Sequence, residues 1–294
     1  MIKIYDCFQF FDEDMLLDLR LNVMNKYIDK FVITEATYMH NGKPKKLIFD
    51  MNNFSKFKDK IIYIVIEEEP LDIIKSENLS SGTKRMNSIK RIEQSYNYMM
   101  KGINDAEDND LICISDNDEI PNFESKHFQN SKNDIFIFKQ LFFYYKFNLF
   151  YDLIPWYGTK ACKKKKLKSF AWLRNLKNKK YPFWRIDTIF SELKQRNLQI
   201  VEQGGWHFTN VKTPEEIYEK LSNFGHHNEF EESGIKIEDI KQSIENRVVH
   251  YDHVADLKKK NKYDANYKLK IVEDKYLPSY LVFNKQNYKD WFDL

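Results

Sequence analysis

Four short strand-like runs set the fold: Ile2 to Phe8, Phe31 to Glu35, Ile61 to Ile66 and Leu111 to Ile114. Between them lie segments of helical period. Met15, Leu16, Leu19 and Val23 share one face of a helix that Asp12 caps and that runs to about Tyr27. A longer helix opens at Ser81-Gly82 and reaches about Lys101, while Asn41-Gly42 and Pro44 mark a loop. Strands and helices alternating at this spacing predict an α/β fold with a mainly parallel central sheet flanked by helices. Ligands of such sheets bind beyond the C-terminal strand ends. The residues to weigh first are therefore Glu35, after the second run, and Asp116 onward, after the fourth.

The second half is more mixed. Asp134 to Tyr145 is a β-like stretch dense in Phe and Tyr, Asp187 to about Gln195 reads as a helix, and Leu198 to Val201 as a short strand. Thr213-Pro214-Glu215-Glu216 is a strong helix start, with Thr as cap, Pro in the first turn and Glu three residues on. The expected organisation is one domain over 1–250, with a charged and aromatic extension over 251–294 packing on it.

With 42% hydrophobic and 16% aromatic residues the chain is rich enough to pack a core, which excludes wholesale disorder. The net charge of +3 writes no general attraction to nucleic acid into the balance. Charge is nevertheless segregated. Lys160 to Lys180 holds ten bases and no acid, and Asp105 to Glu124 holds eight acids and no base. These runs are either two solvated faces or two halves of a site for one charged ligand. On the second reading, Lys163, Lys164, Lys165 and Lys166 attract an anionic acceptor. Cys7, Cys113 and Cys162 are scattered and odd in number, so neither a zinc site nor a disulfide framework is signalled. No signal peptide precedes the first strand, and no run approaches the ~18 apolar residues of a membrane span. The expectation is a cytoplasmic protein with at most peripheral membrane contact.

Chemistry concentrates in Ser115-Asp116-Asn117-Asp118-Glu119-Ile120-Pro121. Two carboxylates at i and i+2 in a turn after a buried strand can reach one hard cation, Mg²⁺ or Mn²⁺, which leaves positions for substrate phosphates. In Gly204-Gly205-Trp206-His207 the glycines permit a close backbone approach, and His207 is either a further ligand or a core histidine beside a core Trp. Glu35 either accepts from a nucleotide or is a plain strand-terminal acid. His226 and His227 form a pair of which helical register turns at most one inward. No phosphate-loop, dinucleotide or nucleophile-elbow motif is present.

Taken in order, Ile33-Thr34-Glu35-Ala36-Thr37 with Gly42 and Pro44, then Ile114 to Pro121, then Gly205-Trp206-His207-Phe208-Thr209 and Thr213-Pro214-Glu215 resemble glycosyltransferase family 17. That family includes the β-1,4-mannosyl-glycoprotein β-1,4-N-acetylglucosaminyltransferases. The resemblance implies a GT-A-like fold and an inverting transfer from a UDP-sugar, UDP-GlcNAc first. It implies donor contacts from Glu35, Asp116, Asp118, Glu119 and Trp206, and Mn²⁺ or Mg²⁺ on Asp116, Asp118 and His207. Asp187 stands where inverting GT-A enzymes keep their general base, though it is equally a helix cap. The chain departs from the family pattern at Gln94-Ser95, where an Arg is expected beside the Gln. It lacks the anchor and lumenal cysteines of the animal enzymes, so a glycan or glycolipid acceptor is expected in place of an N-glycan. Two rivals stand beside this reading. One is a metal-dependent nucleotidyl or phosphoryl transferase; the other is a nucleic-acid-binding module using the basic run with Trp172 and Trp184.

Overall fold

The structure, a computed structural model, describes residues 2–224, 227–254 and 262–293. The chain opens β1 (Ile4–Gln9), α1 (Asp14–Met24), β2 (Lys30–Ala36), β3 (Ile61–Ile66), α2 (Ser81–Met99) and β4 (Leu111–Asp116). These elements follow the apolar runs of the sequence. The four strands pair in parallel in the order β3-β2-β1-β4. The chain therefore moves outward from β1 to β3, then returns to lay β4 on the other side of β1. That reversal makes a crevice between the C-terminal ends of β1 and β4, where Gln9 stands opposite Asp116.

Beyond β4 the sheet turns mixed. The short β5 (Glu119–Pro121) follows the acidic turn, and the one-turn helix α3 (Lys126–Gln129) leads into β6 (Ile135–Tyr144), β7 (Leu149–Phe150) and β8 (Trp156–Lys163). Strand β8 lies antiparallel between β4 and β6. Next come α4 (Phe170–Asn175), β9 (Gln199–Val201) and β10 (Gly205–Thr209). Strand β10 pairs antiparallel with β5 and parallel with the end of β6, setting His207 beside Glu119. Gly205 is required there: its φ is +123°, and a Cβ would stand 2.1 Å from the Ile120 carbonyl oxygen. The close approach is to the protein's own backbone. The expected central sheet flanked by helices is thus present, parallel across its first four strands.

Helix α5 (Pro214–Asn223) starts as its sequence predicts. Thr213 Oγ1 accepts from the Glu216 amide at 3.3 Å, and Glu216 Oε2 accepts from the Thr213 amide at 2.8 Å. Two further helices, α6 (His227–Ser233) and α7 (Ile237–Glu245), pack beside it. Asp12 does not cap α1; it binds Lys212 Nζ at 2.6 Å. The described C-terminal segment is woven into the rest. Strand β11 (Val248–Val249) pairs with β12 (Tyr267–Lys268), and β13 (Lys270–Ile271) pairs with β7. Leu281 in α8 (Ser279–Phe283), together with Leu277, Tyr288 and Phe292, joins the same apolar core as α1 and β1.

Candidate active site

The acidic turn is fastened from both sides. Beneath it, Arg20 of α1 is fully buried and donates to both oxygens of Asp6, at 2.8 and 2.6 Å. The same guanidinium reaches the carbonyl oxygens of Asp116, Asn117 and Glu119 at 3.2, 3.3 and 2.6 Å. Above it, Arg174 of α4 holds Glu119 by a two-pronged contact at 2.7 and 2.9 Å and Asp116 Oδ2 at 2.7 Å. Glu119 also accepts from Trp156 Nε1 at 2.9 Å and from the Asp116 amide at 3.0 Å. Cations on its carbonyls and carboxylates fasten the turn, and Asp116 and Asp118 line the crevice.

The two aspartates differ electrically. Burial raises the Asp116 carboxyl to about 6; Arg174 opposes the shift, and Glu119 and Asp118 add to it. Half of the Asp116 side chain still faces the crevice. Asp118 is enclosed, and burial alone would raise it too. His207 Nε2 at 3.5 Å and Lys220 Nζ at 3.6 Å outweigh that and hold it well below the usual carboxylate range. Lys220, on α5, also reaches Glu13 at 3.2 Å. Burial disfavours its charge, but Glu13 and Asp118 keep it protonated above its ordinary range. The His207 ring stacks with Trp156 at 4.3 Å and Phe142 at 4.7 Å, and its Nδ1 is buried with no protein partner.

Around these groups lies a cavity of about 420 Å³, the size of a small-molecule site. Its floor is the C-terminal ends of β1, β2 and β4, and Lys220 of α5 and Arg91 of α2 also line it. Its far wall is aromatic, with Tyr144, Tyr145, Trp156, Tyr251, His253 and Tyr263. Burial lowers His253 to about 4, so its imidazole is neutral near pH 7. Arg91 stands one turn before Ser95 on α2, paired with Glu69 at 2.6 Å. It supplies a cavity cation where Gln94-Ser95 does not.

Residues 1–292 match the family described as Glycosyltransferase family 17. The chain belongs to glycosyltransferase family 17. It is a glycosyltransferase, and that activity takes a nucleotide-sugar donor and an acceptor. No curated protein matches the chain. Solved structures similar to it include HddC from Yersinia pseudotuberculosis, at 12% identity over 68% of this chain and 89% of that one, with a TM-score of 0.29. Another is the inositol-1-phosphate CTP transferase from T. maritima, at 10% identity over 68% and 85%, with a TM-score of 0.32.

In this glycosyltransferase the crevice brings together Asp116, Asp118 and His207 and leaves out the other residues singled out by sequence. Glu35 is 1% exposed and does not line the cavity. Lys45, the Ile48 and Phe49 amides and the Tyr63 hydroxyl consume both its oxygens, the last three at 2.8, 3.1 and 2.8 Å. It is a tether for the loop after β2. Glu119 is fully buried and saturated, so it positions Arg174 and Trp156 and has no lone pair for a donor. Trp206 alternates with His207 along β10 and falls on the opposite face, where its Nε1 donates to the Tyr276 carbonyl at 2.7 Å. Asp187 stands outside the cavity with its carboxylate between Arg185 and Lys194, which hold it below the usual carboxylate range. The helix expected there is a single turn, Ile186–Thr188. Lys163 stands opposite Leu111 at the N-terminal end of β4, five residues or about 17 Å along the strand from Asp116. The backbones of Lys164 and Lys165 bond to Asp110 and Asp108, so the lysine cluster 163–166 meets the start of the acidic run away from the crevice, and of the basic run it is Arg174 that reaches the acidic turn. His226 lies outside the described residues, and His227 does not line the cavity.

Arg174 and Lys220 escaped the sequence reading, yet each left a trace. Arg174 is the one arginine among the ten bases of 160–180, and a planar fork differs from a lysine wherever two carboxylates must be bridged. Lys220 falls at helical spacing between Ile217, Leu221 and Phe224, a charge on an apolar face.

Proposed function

We propose that this glycosyltransferase moves a sugar, GlcNAc first among the donors to test, from a UDP-sugar to a hydroxyl of a glycan or glycolipid, with inversion at the anomeric carbon. One observation carries this reading. A rigid turn offers Asp116 and Asp118 at the β1–β4 switch point, beside buried cations and an aromatic wall. Lys220 and Arg91 suit the diphosphate, and the aromatic wall suits the apolar face of a sugar ring.

The donor set fits Mn²⁺ or Mg²⁺. Among the described residues no group of three or more His, Cys, Asp and Glu is arranged to hold a metal by itself. Such ions need only one or two protein carboxylates and take phosphate oxygens and water for the rest. His207 Nε2 and Asp118 Oδ1 stand 3.5 Å apart, near enough that both could reach one ion. Asp118 with His207, and Asp116 across the turn, would hold the ion, which when bound offsets charge on the departing diphosphate.

The acceptor proton needs a base that is not a metal ligand. Among the described residues the carboxylates lining the cavity are Glu13, Asp116 and Asp118. With the two aspartates given to the donor, Glu13 takes the proton, and Lys220 at 3.2 Å steadies its charge and orientation. Donor turnover in Asp118→Asn and Glu13→Gln tests both assignments. Asp118→Asn is expected to lose about a hundredfold or more in turnover, together with metal-dependent donor binding. Glu13→Gln is expected to lose far more in turnover than in donor affinity, with the amide keeping the shape of the side chain while Lys220 loses a charged partner. A Glu13→Gln enzyme of normal rate moves the base role to a cavity imidazole.

A further inference from the structure

Between α4 and β9 the chain forms a knuckle built inside out. Phe183, Trp184, Ile186, Ile189 and Phe190 are each between 67 and 85% exposed. The polar side chains of the same segment face one another. Arg185 and Lys194 both grip Asp187; Thr188 Oγ1 donates to the Arg185 carbonyl at 2.6 Å, and Arg196 Nε donates to Thr188 Oγ1 at 2.6 Å. The knuckle is seated on α4, where Trp172 Nε1 donates to the Glu192 carbonyl at 3.0 Å and Lys168 pairs with Glu192. Five large apolar side chains within eight residues, held outward by a polar network, form an exposed patch that water alone does not explain.

Its surroundings fix the occupant. Residues 177–197 carry six bases, Lys177, Lys179, Lys180, Arg185, Lys194 and Arg196, against two acids, Asp187 and Glu192. The result is a net charge of +4 around Trp, Phe and Ile. Aromatic and branched apolar groups at the tip of a cationic segment match the boundary of an anionic bilayer, where rings enter the headgroup region and lysines stay with the phosphates. We infer that this knuckle docks the enzyme on an anionic lipid surface as a peripheral, non-spanning contact. Among the described residues no helix is long and apolar enough to cross a membrane. The contact stands on α4, the helix that carries Arg174, so docking holds the catalytic turn at the surface from which a lipid-linked acceptor would be drawn. The inference does not rest on the identity of the donor or on sugar transfer.

Full-length protein is sedimented with vesicles of phosphatidylcholine alone and with added phosphatidylglycerol, without donor or metal. Wild type is expected to partition about tenfold or more better onto the anionic vesicles, with binding weakened by salt. Brominated lipid is expected to quench its tryptophan emission, and Trp184→Phe to remove that quenching. The triple variant Phe183→Ser/Trp184→Ser/Phe190→Ser is expected to lose about tenfold or more of the partitioning at unchanged circular dichroism. Lys179→Glu/Lys180→Glu, which leaves the apolar residues in place, should lose the anionic preference. Equal vesicle binding by the triple variant overturns the inference. So does wild type that ignores the vesicles, whether or not it self-associates through Trp184 or binds single-stranded oligonucleotide in a salt-dependent way.

Discussion

Asp116 carries a charge that its surroundings resist. Its carboxyl is raised from 3.8 to about 6, chiefly by burial, so it ionises in the folded protein later than in the unfolded chain. The sign follows from linkage. A raised folded value means stability that is fully present below the unfolded value and is lost as pH rises through about 6. Asp118 runs the other way: its contribution is present above its unfolded value and is lost only in strong acid. The two therefore separate by pH. If Asp116 serves the donor as a carboxylate, UDP-sugar affinity should fall by about tenfold per unit once pH drops well below 6, and Asp116→Asn should abolish that dependence. Calorimetric titration across this range measures it. An unchanged pH profile in Asp116→Asn would remove Asp116 from donor binding.

At the scale of elements, β1 and β4 bring the turn to the crevice, but Arg20 and Arg174 decide its shape. Arg20 and Asp6 are both fully buried, which makes their pairing very different from the exposed Lys26–Glu124 contact. Removing one partner of a buried pair strands the other charge and costs about 3–5 kcal/mol, whereas an exposed pair contributes about 0–1 kcal/mol. Arg20→Leu is therefore expected to lower stability by several times more than Lys26→Ala in denaturant melts, and to loosen the turn whose carbonyls Arg20 holds. Comparable midpoints for the two variants would refute this. The strands and helix starts were legible because apolar period and capping chemistry are local: Thr213 caps α5 as read. Asp12, read as the cap of α1, is engaged by Lys212, a partner two hundred residues away that no local pattern displays. The helix read at 187–195 failed because Ile189 and Phe190 turn outward, leaving Leu193 alone on the core, too little of an apolar face for a helix to form against.

At the scale of the whole molecule, the order of the motifs carried the family, and the family carried the activity. Which residues reach the cavity was less legible. Trp206 and His207 are neighbours in sequence, and only the register of β10 against β5 and β6 says which of them faces the crevice. Glu35 sits at the C-terminal end of β2, on the side of the sheet where ligands bind, but the loop after it folds back and consumes its carboxylate. In the proposed function Asp116 and Asp118 serve a sugar transfer in which the bond broken joins the anomeric carbon to the diphosphate oxygen. The direct measurement is phosphorus NMR of the nucleotide product when UDP-GlcNAc turns over with the diamagnetic Mg²⁺, in wild type and Asp118→Asn. Wild type is expected to give UDP, and the variant none above background. Release of UMP together with GlcNAc 1-phosphate would place the cleavage at phosphorus and contradict it.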